Sequence, residues 1–209
     1  RRCGKVRLYQ SHWNTLFRQI LYIVKITVPN SMADISVSQY KKLSEITVKE
    51  NSTEWLIEAI SILCAIDKKL VEQLTMKELE RIGKIVSKIT DIDKNNQPLQ
   101  KIIEYKGKRY GFHPNLSKLT VGEFADLETF CDGGYFKNIN EILGILYRPI
   151  VIEAGDFYTI EEYDAVILPD HWNDLNMNVV LGATNFFLSI GVTLTKGLAN
   201  YLVDQATKT

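Results

Sequence analysis

Along much of the chain, apolar residues recur every three or four positions, and several of these stripes are opened by a residue able to cap a helix. Ser36-x-x-Gln39, Thr75-x-x-Glu78, Thr120-x-x-Glu123 and Thr159-x-x-Glu162 have the form of capping boxes. In that motif a hydroxyl and a carboxylate or amide satisfy each other's backbone N–H groups. Asn51 with Glu54 offers another start. Behind these signals Trp55, Leu56, Ala59, Ile60, Leu63 and Cys64 form one face, and Leu79, Ile82, Ile85, Val86 and Ile89 a second. Val121, Phe124, Leu127 and Phe130 form a third, closed by Asp132-Gly133-Gly134. Ile139, Ile142, Leu143, Leu146 and Tyr147 mark another helix, which Pro149 stops near Arg148.

Two stretches read as strands instead. Tyr22 to Val28 is rich in β-branched residues and stops at Pro29. Ile102 to Phe112 reads as a hairpin centred on Lys106-Gly107. Asp91 to Gln97 is a polar loop ending at Pro98, and no internal repeat is evident. A last helix spans about 176–203, and 175–195 carries no charge. That length can cross a hydrocarbon layer of about 30 Å. Asn176, Asn178, Asn185 and Ser189 interrupt it, however, so burial in the core or against a partner is the better reading. Strand, helices, hairpin, helices, without βαβ alternation, predict an α+β fold that is predominantly α-helical. Its core is helical, with a short N-terminal strand and one β-hairpin.

Charge divides the chain. No acidic residue precedes Asp34, while Arg1, Arg2, Lys5, Arg7, Arg18 and Lys25 are basic. Residues 1–21 therefore read as a basic leader, disordered or extraneous, and 22–209 as a single domain with a point of sub-division near 91–100. Over all 209 residues the formal net charge is zero, which removes the general electrostatic argument for a nucleic-acid partner.

Candidate chemistry is sparse. Cys3, Cys64 and Cys131 make neither a disulfide framework nor a zinc pair, and imply a reducing compartment. His12, His113 and His171 lack metal-ligand spacing, and His113 and His171 read as turn, loop or surface residues. No glycine-rich phosphate loop occurs. Asp91/Asp93 and Glu161/Glu162 read as solvated pairs. Lys106, Lys108 and Arg109 with Tyr105 and Tyr110 form a basic, aromatic hairpin too small to argue for nucleic acid. The sequence nominates no catalytic, cofactor-binding or metal-binding residue.

Three stretches carry a resemblance. They are Val28-Pro-Asn-Ser-Met-Ala-Asp-Ile-Ser-Val-Ser-Gln-Tyr40, Tyr110-Gly-Phe-His-Pro-Asn-Leu-Ser-Lys-Leu-Thr-Val-Gly-Glu-Phe-Ala-Asp-Leu-Glu128 and Ile142-Leu-Gly-Ile-Leu-Tyr-Arg-Pro-Ile150. Val180-Leu-Gly-Ala183 and Phe186-Phe187 follow. Together they resemble the small tail and baseplate assembly proteins of contractile-tailed, T4-like bacteriophages, the baseplate hub assembly chaperones among them. The resemblance implies no enzyme activity and no cofactor. It implies transient binding to phage tail or baseplate proteins in the cytoplasm of the infected host cell. The alternatives are a permanent component of the virion tail, neck or baseplate, and, further off, a membrane-associated protein using 175–195. Phe186, Phe187, Tyr147 and Arg148 are the expected partner contacts. Arg148 is also expected to clamp Asp126 or Glu123, fixing the two central helices against each other.

Overall fold

The computed structural model describes residues 4–9, 23–50, 52–90, 97–155, 157–165, 170–187 and 189; for 4–9 and 23–25 it describes the backbone course alone. The chain divides into two compact units, Arg1–Ile92 and Asp93–Thr209, with the boundary in the polar stretch before Pro98.

In the first unit, β1 (Gly4–Tyr9) pairs antiparallel with β2 (Ile23–Val28), Gly4 opposite Val28 and Tyr9 opposite Ile23. Residues 4–9, which form this strand, fall within the stretch expected to be a disordered or extraneous leader. A 3-10 turn, Met32–Asp34, leads into α1 (Val37–Ser44). The capping box at Ser36 is formed: Gln39 N donates to Ser36 Oγ at 3.2 Å, and Ser36 N to Gln39 Oε1 at 3.0 Å. The Gln39 amide also donates to the carbonyls of Ile62 and Leu63, satisfying acceptors at the end of α2 (Thr53–Cys64). Ser52 is the α2 cap, accepting from Trp55 N; Asn51 lies outside the described residues. A short α3 (Lys68–Val71) precedes α4 (Met76–Thr90), whose Thr75 and Glu78 form the second expected box. Trp55, Ile60, Ile82 and Val86 are buried between these helices.

The second unit is built on a four-stranded antiparallel sheet in the order β3 (Ile102–Tyr105), β4 (Lys108–Phe112), β5 (Tyr147–Ala154), β6 (Phe157–Ile160). The β3–β4 turn needs positive φ at both central residues, and Lys106 (48°) and Gly107 (74°) supply it. Helices α5 (Val121–Asp132) and α6 (Ile139–Leu146) lie between β4 and β5. A helix α7 covers 177–187, with Met177, Val179, Val180, Leu181 and Ala183 buried. Of the rest of the charge-free stretch, 188 and 190–195 lie outside the described residues. Among those described, no helix is long and apolar enough to cross a membrane.

This sheet corrects the expectation of a predominantly helical protein with one hairpin: the fold is mixed α+β. Two local readings fail for one reason, which is that pairing partners far away in sequence decide strands. The helix opened at Ile139 ends at Leu146, and Tyr147-Arg148-Pro149 continues as strand against Phe112, Gly111 and Tyr110. Thr159-x-x-Glu162, expected to cap a helix, instead sits where Phe157 to Ile160 alternate between more and less exposed positions in β6.

A short repeat also emerges. Val28-Pro-Asn-Ser-Met-Ala-Asp-Ile-Ser-Val37 and Leu168-Pro-Asp-His-Trp-Asn-Asp-Leu-Asn-Met177 share a pattern, and each runs into a helix. Burial matches from Met32 and Trp172 onward: Met32 and Trp172, Ile35 and Leu175, Val37 and Met177 are buried, while Asp34 and Asp174 are exposed.

Two glycines are held by close approach. A Cβ on Gly111 would strike the Tyr158 ring, and one on Gly182 would strike the Pro98 carbonyl. Backbone cannot yield as a flexible side chain does, so Gly182→Ala is expected to cost about 1–3 kcal/mol. Thermal unfolding of the purified variant checks this, with Gly122→Ala, where nothing lies nearer than 4.0 Å, as the control expected to stay near the parent.

Candidate functional site

The most polar part of the interior lies where α5 begins. Thr120 caps the helix, accepting from Glu123 N at 3.2 Å, and Thr120 N donates to Glu123 Oε2 at 2.6 Å. The box turns the Glu123 carboxylate inward, to 2 % exposure. Its other oxygen meets Arg148 Nη2 at 2.7 Å, and His113 Nε2 stands 3.9 Å from it. Burial alone would raise the Glu123 carboxyl; the Thr120 hydrogen bonds and the Arg148 and His113 charges outweigh that and hold it below the usual carboxylate range. His113 is itself buried, not a surface residue. Its Nδ1 accepts from Asn115 N at 3.3 Å, so the neutral ring carries its proton on Nε2, facing Glu123. Burial and the facing Arg148 guanidinium push its pKa down.

Of the two carboxylates expected to meet Arg148, the structure pairs Glu123; Asp126 instead accepts from the Tyr163 hydroxyl at 2.6 Å. Arg148 is a strand residue, so the pair ties β5 to α5 rather than one helix to another. Arg148 Nε is buried without an acceptor. Tyr147 is buried, its hydroxyl donating to Gln100 O at 2.7 Å. Phe186 and Phe187 are half-buried, and the Phe186 ring packs edge-on against Phe112, centroids 5.5 Å apart.

Beside this cluster opens a cavity of about 250 Å³. Its aromatic walls are Tyr110, Tyr147, Tyr163 and Trp172; Glu161, Glu162 and Asp164 line it as well, with Lys108, Arg148 and His171. Trp172 is fixed by its neighbours: its backbone N–H donates to Asn140 Oδ1 at 3.0 Å, and its ring stacks on Tyr105 at 5.2 Å between centroids. The Tyr105 hydroxyl donates to His171 O at 2.8 Å. His171 Nε2 shares a 3.0 Å hydrogen bond with the Tyr110 hydroxyl. Burial, then the charges of Lys106 and Lys108, lowers the His171 pKa. Burial and the nearby Glu161 raise that of Tyr110. Both groups are therefore neutral near pH 7, and a phenol so raised is a poor nucleophile.

No family model, curated protein or solved structure matches this chain. The geometry must therefore speak for itself. Among the described residues no three His, Cys, Asp or Glu side chains gather as metal ligands. The basic hairpin seen in the sequence is largely spent within the protein: Arg109 pairs with Glu153 at 2.6 Å and Lys106 with Asp174 at 3.5 Å.

Sequence reasoning missed the cavity, because its lining is gathered from four separate stretches of unit 2. It also missed the exposed apolar residues. Val121 and Phe124 on α5, and Val151, Ile152 and Phe157 on the β5–β6 hairpin, are all more than half exposed. The hairpin register places Ile152 opposite Thr159 and Ala154 opposite Phe157, so these four share one face. Tyr158 and Ile160 occupy the other face, over Gly111.

Removing one member of a buried ion pair leaves the other uncompensated, at a cost of about 3–5 kcal/mol. Arg148→Ala is expected to fall in that range, and Asp126→Asn well below it; chemical denaturation of both variants distinguishes them. The pH dependence has a definite sign. Because the folded pKa of His113 lies below its ordinary 6.5, the unfolded chain takes up the proton first. Stability from this group is complete above pH 6.5 and falls as pH drops toward the folded pKa. Glu123, depressed in the fold, adds a further loss below its ordinary 4.5 as pH falls through the folded value. Unfolding free energy measured from pH 8 to pH 5 should decline, and His113→Gln should flatten that decline.

Proposed function

We propose that this protein is a non-catalytic assembly chaperone or adaptor that binds tail or baseplate proteins of a contractile-tailed phage in the infected cell. The three sequence stretches that resemble T4-like tail and baseplate assembly proteins support the phage setting. The observation that carries the binding role is the solvent-facing side of the β5–β6 hairpin, where Phe157 is 82 % and Ile152 62 % exposed. The register makes them near neighbours on one face. Isolated exposed apolar residues are ordinary, but two large ones grouped on one strand pair favour a contact surface. Val121 and Phe124 add a second exposed apolar site at the start of α5. The partner contacts thus shift from those expected in the sequence: Tyr147 and Arg148 serve the interior, and the hairpin takes their place.

The test is co-expression of the tagged full chain with the products of neighbouring tail and baseplate genes. Phe157→Asp combined with Ile152→Asp is expected to cut recovery of the bound partner by about tenfold or more, as for the loss of a central apolar anchor. Because both side chains already stand in solvent, the melting temperature should stay within a few degrees of the parent, by about the margin typical of surface substitutions. Undiminished recovery with both aspartates in place would remove the hairpin from the reading.

A further inference from the structure

We draw no further inference here: the strongest candidate, the outer edge of β6 beside the exposed Ile152 and Phe157, belongs to the contact surface already described, and nothing in the structure shows what covers it.

Discussion

The second unit is organised around one carboxylate that has been taken out of water. Glu123 is tolerable in the interior only because each oxygen has a strong partner, the Thr120 amide on one side and the Arg148 guanidinium on the other. Both partners are positional commitments. Thr120 can serve only if α5 begins where it does. Arg148 can serve only if β5 lies in its observed register, with Arg148 opposite Gly111 on β4. A slip of one residue would turn the arginine to the other face and strand the acid. The same register sets Tyr147 and Pro149 on the cavity wall and carries Ile152 outward, so the buried pair and the exposed hairpin are two ends of one constraint.

How much of this could be read from the chain depends on how local each signal was. The capping boxes at Ser36, Thr75 and Thr120 involve residues three apart, and all three form. The same pattern at Thr159 is misleading because two residues cannot distinguish a helix start from a strand. Phe157 to Ile160 become β6 by pairing with β5, and β5 by pairing with β4; a scan for helical stripes sees neither event. His113 beside a proline looks like a turn residue, and its burial next to Glu123, itself paired with Arg148 on another element, depends on contacts distant in sequence. Arg148 was legible as a clamp, but the choice between Glu123 and Asp126 was not. Tyr163, remote in sequence, takes Asp126 by hydrogen bond.

Net charge shows the same limit from another side. A formal charge of zero argues against broad electrostatic attraction, yet it averages over surfaces that behave differently. The sequence suggested a basic hairpin at 106–109; folding pairs Lys106 with Asp174 and Arg109 with Glu153. Glu161 and Glu162, read as a solvated pair, are exposed and also border the aromatic-lined cavity.

The repeated pattern indicates where that surface chemistry resides. In the first unit the motif places Met32 in a helical core, beneath a turn whose Asp34 is occupied by the amides of Asn30 and Ser31. In the second, the equivalent positions are Trp172 and Asp174, and the burial from that large side chain to the start of the helix is unchanged. The motif therefore behaves as a scaffold that launches a helix and buries one large side chain, whichever side chain that is. Function enters by substitution upon it. With an indole at that position and His171 before it, Tyr105 and Tyr110 gain rings to pack against and a cavity wall takes shape. With a flexible thioether there, the same backbone makes only core.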